Sequence, residues 1–208
     1  VSYTGTETAN DSVGHGLNAA PKLIITKNRD NSTYSWRVLT TAIDGSLDRL
    51  FLNDVTTKAD QAGVDVPTSS VFYVGSNLDH NKSGDNIIAY CFCNVEGFSK
   101  FGSYVSNNDA NGPFVYLGFQ AKLIIWKNVD AAHGWYIYDD ERNPNNPMSK
   151  YLATQGPSTI AEGDPGGVMD VVSNGFKVRN TGSDMNTSTN KILYMAWAEY
   201  PFKTARAR

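Results

Sequence analysis

The sequence predicts an all-β protein built of two tandem antiparallel β-sandwich repeats, with jelly-roll or lectin-like architecture. Residues 22–28 read Lys-Leu-Ile-Ile-Thr-Lys-Asn, and residues 122–128 repeat six of these seven letters 100 positions later. Aromatic residues make up 12% of the chain and charged residues only 19%, and short apolar segments alternate with turn-forming residues. Such segments are typical of strands joined by turns. A repeat of half the chain indicates two structural units.

The repeat sets the expected domain boundary near the middle of the chain. We expect the first β-sandwich repeat at residues 1–97 and the second at residues 98–208. Each copy offers about six short strands, at the spacing of a sandwich or barrel. The chain begins with Val1 rather than Met, which favours a mature fragment or the end of a longer polypeptide.

The repeated segment predicts the central strand of each unit. Residues 21–27 and 121–127 are continuous apolar runs, which are typical of strands covered on both faces. Turn-forming residues follow each run, and Trp36 or Trp135 then opens another strand-like segment. We therefore expect a hairpin at this place in each copy.

Comparison of the copies assigns the core face of a later strand. Residues 71–74 align with residues 175–178. Side chains alternate between the two faces of a strand, so Tyr73 and Lys177 should point to the wetter side. The core face is predicted from the four positions that stay apolar in both copies: Phe72, Val74, Phe176 and Val178.

The last matched strands have one bulky and one narrow face. Residues 88–93 align with residues 193–198, and small residues recur at alternate positions of both segments. We expect another part of the fold to pack closely on the narrow face. Its residues are Cys91, Cys93, Ala196 and Ala198. Two cysteines at this spacing lie about 7 Å apart, too far for a relaxed disulfide, so they are predicted to be small buried residues without redox function.

Charge and hydropathy argue against two classes of partner. The formal net charge is −3 and the sequence pI is about 5.6, with basic residues scattered along the chain, so no nucleic-acid partner is expected. The longest apolar stretch, residues 87–93, has seven residues. A bilayer crossing needs about 20, so no membrane insertion is expected.

The chain lacks the sequence motifs of the common enzyme classes. Nucleophile-elbow, metalloprotease, P-loop and dinucleotide-binding motifs are absent from the sequence. Of the three histidines, His15 lies between glycines and is expected to cap backbone groups, and His80 is expected at a solvated hairpin tip. His133 precedes Gly134 in another turn. We therefore predict a non-enzymatic protein without catalytic residues, metal or cofactor.

An acidic loop is the best candidate for a binding site. Residues 139–147 read Asp-Asp-Glu-Arg-Asn-Pro-Asn-Asn-Pro, whose oxygen donors suit sugar hydroxyls or Ca²⁺. A structural interpretation also stands, in which Asp139 and Arg142 form a local ion pair that orders the loop. The predicted ligand-binding residues in this loop are Asp139, Asp140, Arg142 and Asn143.

Trp126 is the fifth candidate for ligand binding. The first copy has Thr26 at this position, whereas the other three tryptophans repeat or replace apolar core positions. For Trp126, an exposed or interface position is therefore an alternative to burial in the core. A function carried by the second copy alone should therefore lie at Trp126 or in the acidic loop.

Residues 12–25, 97–104, 135–144 and 194–202 carry several motifs that occur in the same order in one family. The chain resembles a repeat-built domain that is widely encoded by marine tailed phages, including cyanophages. Asn18 stands where that family commonly has Gly, and Cys93 where Ala is common. The similarity covers essentially the whole chain.

The resemblance implies a virion structural protein, with other virion proteins as partners. We expect a tail-fibre-like or capsid-exterior module that attaches to a host-surface glycan or receptor and is assembled in the host cytoplasm. Fibre proteins of this type are usually trimeric, which favours a homotrimer. Two alternatives remain open: a tail-spike-type enzyme that degrades polysaccharides, and a purely architectural decoration or cement domain.

Overall fold

The computed structural model divides the chain into two compact units, unit 1 (Val1–Cys93) and unit 2 (Asn94–Arg208). The structure describes residues 1–154, 160–163, 167–182, 184–187 and 189–200. The division falls four residues before the boundary expected from the sequence. The end of the predicted second repeat, after residue 200, lies outside the described residues.

Unit 1 forms two antiparallel sheets. Its elements are β1 (Ser2–Thr4), β2 (Asp11–Gly14), β3 (Leu23–Asn28), β4 (Arg37–Thr40), β5 (Asp48–Phe51), β6 (Ala59–Asp60), β7 (Val71–Val74), α1 (Leu78–Asn81) and β8 (Asn86–Phe92). The larger sheet has six strands in the order β1-β8-β3-β4-β5-β6, and β2 pairs with β7 in the smaller one.

Unit 2 also forms two antiparallel sheets. The described strands are β9 (Ser99–Val105), β10 (Phe114–Tyr116), β11 (Leu123–Asn128), β12 (Trp135–Asp139), β13 (Tyr151–Thr154), β14 (Ile160–Gly163), β15 (Met169–Val172), β16 (Gly175–Val178) and β17 (Lys191–Trp197). The larger sheet has the order β14-β13-β12-β11-β17-β9, and the smaller one has the order β10-β16-β15.

The all-β, antiparallel fold class is confirmed. The apolar runs form β3 and β11, each of which pairs with a strand on both sides. The predicted hairpins are present as β3–β4 and β11–β12. Each unit contains more strands than the six expected, because strands as short as β6 carry too few side chains to show a period.

The two larger sheets have the same strand order. Read from opposite ends, β1-β8-β3-β4-β5-β6 corresponds to β9-β17-β11-β12-β13-β14. The turn before each central strand also matches, since Asn18 has φ +57° and Gly118, 100 residues later, has φ +88°. Asn and Gly are the residues that adopt this left-handed conformation most readily. The internal repeat stays a prediction, which these correspondences support.

The core of unit 1 lies between its two sheets. Phe72 and Val74 of β7 are buried on the predicted face, and Tyr73 is partly exposed. They pack against residues of the larger sheet, including the small Ala89 with Cys91 beside it. The prediction that another part of the fold packs on the narrow face of this strand is therefore confirmed in unit 1.

The cysteines of unit 1 form no disulfide. Both are partly buried, whereas small buried residues were predicted. Burial raises the pKa of the Cys91 thiol to about 11. Because the thiolate is the reactive form, this shift disfavours nucleophilic or redox chemistry at Cys91.

The core of unit 2 has the same layered arrangement and more aromatic side chains. Phe176 and Val178 of β16 are fully buried on the predicted face, and Lys177 is partly exposed. Ala196 of β17 lies in this core, and Ala198 packs against it. Aromatic residues from the larger sheet complete the core: Trp126, Tyr136, Tyr138 and Tyr194.

A buried asparagine organises a loop in each unit. The Asn81 side chain accepts a hydrogen bond from the Thr6 backbone N–H and donates to two backbone carbonyl oxygens. Asn186 does the same in unit 2, accepting from Asn107 and donating to two carbonyls. Both side chains are almost completely buried, so these bonds replace the solvation that the amide and backbone groups lose.

The prediction for His80 is wrong. His80 lies in α1 and is fully buried, and its Nδ1 is 2.9 Å from Asp79 Oδ1. Its Nε2 accepts a hydrogen bond from the Gly75 N–H, so Nδ1 carries the proton. Arg37 also donates to Asp79 at 2.7 Å and to Gln61 at 2.5 Å. The polar sequence around His80 is typical of an exposed turn, but its polar groups satisfy one another inside unit 1.

The other two histidines lie in turns, as expected. His15 Nδ1 accepts a hydrogen bond from the Leu17 N–H, and its Nε2 is 3.1 Å from the Thr68 carbonyl oxygen. The predicted backbone-capping role of His15 is confirmed. His133 lies in the turn between β11 and β12.

The buried network predicts that acid destabilises unit 1. Burial lowers the pKa of His80 more than contact with Asp79 raises it. A histidine whose folded-state pKa is depressed contributes stability above its unfolded pKa of about 6.5 and loses it as the pH falls below that value. We expect the free energy of unfolding to fall between about pH 6.5 and pH 5.

His80→Met, which introduces the residue found beside the matching Asn186, should weaken this pH dependence. The variant should also lose about 1–3 kcal/mol at neutral pH, because the Gly75 N–H loses its acceptor. Urea unfolding at both pH values measures both effects. An unchanged pH dependence in the variant would show that another group titrates.

Candidate functional site

The hairpin β11–β12 places three aromatic side chains on the core face of unit 2. Trp126 pairs with Tyr136, and Ile124 pairs with Tyr138, in the antiparallel register. Directly paired residues share a face, as do residues two positions apart. The Trp126 and Tyr136 rings therefore stack, with centroids 4.3 Å apart and planes 8° apart. Tyr138 lies 6.4 Å from Trp126 at 17°.

These rings line one side of a cavity of about 130 Å³, which we call the aromatic cavity. Tyr151 of β13 meets the Tyr136 ring edge-on, with centroids 5.1 Å apart. The loop that follows β16 supplies the polar wall. The described lining residues are Trp126, Tyr136, Tyr138, Tyr151, Val168, Asn180, Gly182, Asp184 and Met185.

Asp184 is held by two side chains. The Tyr136 hydroxyl donates a hydrogen bond to Asp184 Oδ2, and His133 Nδ1 lies 2.8 Å from Asp184 Oδ1. Burial, followed by the hydrogen bond to Asp184, raises the pKa of Tyr136. Tyr136 therefore stays protonated near neutral pH and acts as a donor. This arrangement fixes the carboxylate at the cavity wall.

Two of the lining residues each carry a buried polar side-chain atom that has no hydrogen-bond partner. Trp126 is only 2% exposed, and its Nε1 is buried without an acceptor. The side-chain oxygen of Asn180 is buried without a donor. Leaving a buried polar group unpartnered costs about 1–3 kcal/mol, so a ligand that bonds to both atoms recovers this loss. Two residues of the lining therefore each keep one unused polar atom beside aromatic rings, a donor in Trp126 and an acceptor in Asn180.

The corresponding pair of positions in the hairpin of unit 1 carries different residues. Its hairpin pairs Thr26 with Arg37, where unit 2 pairs Trp126 with Tyr136. The Arg37 guanidinium lies 5.5 Å from the Phe51 ring centroid and binds Asp79 and Gln61. Asp79 occurs two residues before the loop-organising asparagine, as Asp184 does in unit 2. Unit 1 therefore places its own cation where unit 2 places the aromatic rings.

Of the two positions open for Trp126, burial in the core is observed and the exposed or interface alternative is wrong. Its indole belongs to the core of unit 2, because residues paired across the hairpin point inward together. The structure nevertheless places this residue in a cavity lining. Trp135 is fully buried, as expected, whereas Trp36 and Trp197 are only partly buried against Tyr90 and Phe101.

Side-chain contacts within the acidic loop and with flanking residues hold its conformation. Arg142 forms the local ion pair with Asp139 that the structural interpretation predicts. The Asn143 side chain donates to the carbonyl oxygens of Asp139 and Lys150 and accepts from the N–H groups of Ser149 and Lys150. Asp140 forms an ion pair with Lys122, which directly precedes β11. Most polar groups of the loop are thus used to hold its shape.

The predicted site residues do not form one site. Asp140 and Asn143 line a separate cavity of about 90 Å³, and Asp139, Asp140, Arg142 and Asn143 are absent from the described lining of the aromatic cavity. Within the described part of the chain, no group of three or more His, Cys, Asp or Glu side chains is placed to hold a metal ion. The calcium hypothesis gains no support.

Sequence reasoning missed most of the aromatic cavity. One signal was available: Tyr136 and Tyr138 alternate along β12 at positions where unit 1 has Arg37 and Leu39. The contributions of Asn180, Asp184 and Met185 had no sequence signal, because a loop brings them to the strands from a distance.

A family model described as a domain of unknown function, DUF7483, matches residues 1–201. The chain belongs to the DUF7483 family. No curated protein and no solved structure matches it. Both units of this DUF7483 chain lie almost entirely within the match, so the family domain comprises the pair of them. Among the described residues of the DUF7483 domain, no helix has the length and apolar character needed to cross a membrane.

The contacts of Asn143 and Arg142 in the acidic loop predict that replacing each by alanine has unequal effects on the free energy of unfolding. Asn143→Ala should lower the free energy of unfolding by about 2–4 kcal/mol, because several buried backbone groups lose a partner. Arg142→Ala should change it by less than about 1 kcal/mol, because a partly exposed ion pair is screened by solvent. Urea unfolding measures both. Equal losses would contradict the assignment of Asn143 as the residue that orders the loop.

Proposed function

We propose that this chain is a non-enzymatic structural module of a phage virion that attaches to a host-surface glycan through the aromatic cavity. The observation that carries the binding function is the pair of unpartnered polar atoms, Trp126 Nε1 and Asn180 Oδ1, beside stacked aromatic rings. Binding sites commonly combine apolar and aromatic walls with a few convergent polar groups.

Sugars suit this combination of groups. A pyranose ring has apolar C–H faces that pack on aromatic rings, and its polar substituents both donate and accept hydrogen bonds. Asp184 supplies a further acceptor at the wall. Glycosidases generally require two carboxyl groups, and Asp184 is the single carboxylate among the described lining residues. The geometry therefore favours binding over cleavage.

The virion assignment rests on the resemblance to marine phage domains. It implies assembly in the host cytoplasm and contacts with other virion proteins. Both cysteines are free, which is compatible with assembly in a reducing compartment. A rigid antiparallel scaffold that positions loops beside a cavity is suited to an attachment module.

Two tryptophan variants test the binding function. Trp126→Phe removes the unpartnered indole N–H and should weaken binding to host-surface glycans about tenfold, the effect of losing one hydrogen bond of about 1.4 kcal/mol. Trp135→Phe is the matched control, because Trp135 is equally buried but does not line the aromatic cavity.

Glycan-array binding and host-cell adsorption measure the effect, with thermal melting as the check on folding. The attachment proposal fails if the folded wild-type chain binds neither glycans nor host cells. Equal weakening in both variants would exclude the cavity as the site.

A second candidate function is architectural, and one surface of unit 2 favours it. β10 is an edge strand, and Phe114 and Tyr116 on one of its faces are 49% and 59% exposed. Exposed aromatic side chains on an edge strand suit a contact between subunits or with another virion protein. A homotrimer would provide such a contact.

Phe114→Ser combined with Tyr116→Ser tests this second candidate. If the surface is a subunit contact, the double variant should dissociate to monomers in light scattering while glycan binding persists. A wild-type chain that is already monomeric, or a variant with unchanged mass, would contradict this role.

A further inference from the structure

We infer that the aromatic cavity binds the acetamido group of an N-acetylated sugar. This inference rests on the proposed glycan-binding function and names the feature of the glycan that unit 2 recognises. It starts from the two unpartnered atoms. A ligand must present an acceptor to Trp126 Nε1 and a donor to the side-chain oxygen of Asn180.

A secondary amide meets both needs with one rigid group. Its carbonyl oxygen accepts a hydrogen bond, its N–H donates one, and the planar trans geometry fixes the two in opposite directions. A hydroxyl can also donate and accept, but from a single oxygen that must reach both atoms. Because Trp126 lies on the sheet and Asn180 in the loop after β16, the donor and acceptor belong to different walls of the cavity.

The apolar part of the lining fits the methyl of an acetamido group. Val168 and Met185 are 2% and 1% exposed and line the same cavity. Methionine adapts its shape to small apolar groups, and the tyrosine rings supply flat walls for the sugar ring. The cavity volume of about 130 Å³ greatly exceeds the space of about 10–15 Å³ that one water needs. The site therefore has room for a ligand group.

The charges in the cavity disfavour a simple cation as the occupant. The Asp184 carboxylate is already bound by Tyr136 and lies 2.8 Å from His133. An ammonium group also has no acceptor to offer Trp126 Nε1. In unit 1, where a cation does occupy the corresponding place, Arg37 has Asp79 and Gln61 as dedicated acceptors and no indole lies opposite it.

The test compares sugars that differ only at one substituent. N-acetylglucosamine and N-acetylgalactosamine are titrated into the intact chain beside glucosamine, glucose and galactose, with calorimetry or chemical-shift changes as the readout. At least one N-acetylated sugar should bind about tenfold more tightly than the sugars without the acetyl group, since one further hydrogen bond of about 1.4 kcal/mol corresponds to that factor.

Asn180→Ala separates recognition from folding. The Asn180 side-chain oxygen has no partner to lose, so the variant should melt at or above the wild-type temperature while its preference for the acetylated sugar falls to about threefold or less. Asn145→Ala, at an exposed position in the acidic loop, is the control and should retain the full preference.

Each outcome has a defined meaning. Equal binding of glucose and N-acetylglucosamine would overturn this inference and leave the glycan-binding function intact. Failure of every sugar to bind would overturn both. Tighter binding of an N-acetylated amino-acid amide than of any sugar would assign the site to a peptide and overturn the inference. Preference retained in Asn180→Ala would remove Asn180 from the recognition.

Discussion

The fold of each unit depends on the central strand, β3 or β11, which pairs on both sides and packs its core face against the smaller sheet. A strand in this position must be apolar on both faces and must have a partner for every backbone group, which explains the continuous apolar runs. Its pairing with the next strand also decides which side chains meet in the core. The side chains at two paired positions of this hairpin distinguish the core of unit 1 from the core of unit 2.

The two units use those positions for different purposes. Thr26 and Arg37 give unit 1 a buried cation whose partners are the Asp79 carboxylate and the Gln61 amide. Trp126 and Tyr136 give unit 2 a stacked aromatic pair and leave a lined cavity. Buried ion pairs gain little net stability, because desolvation offsets their attraction. The same strand arrangement therefore surrounds a buried ion pair in unit 1 and an aromatic-lined cavity in unit 2.

Features that depend on local sequence pattern were predicted correctly. Features that depend on contacts between distant segments were not. The central strands and the inward-facing Phe72 and Phe176 follow from continuous and alternating apolar residues, which periodicity reveals. His80 was misplaced because its polar neighbours resemble an exposed turn, whereas tertiary contacts bury them as a network. Trp126 was identified as unusual, but its cavity was not, since Asn180 reaches it through loop geometry that no local pattern encodes.

The proposed glycan site depends on the indole N–H of Trp126, which is buried without a hydrogen-bond partner. The chain has four tryptophans, so a ¹H–¹⁵N spectrum contains four indole N–H signals, which Trp→Phe variants assign. Titration with N-acetylglucosamine and N-acetylgalactosamine should move the Trp126 signal downfield for at least one of them, as a new hydrogen bond forms, and leave the Trp36 signal of unit 1 unchanged. A Trp126 signal that stays fixed at saturating sugar would contradict the account.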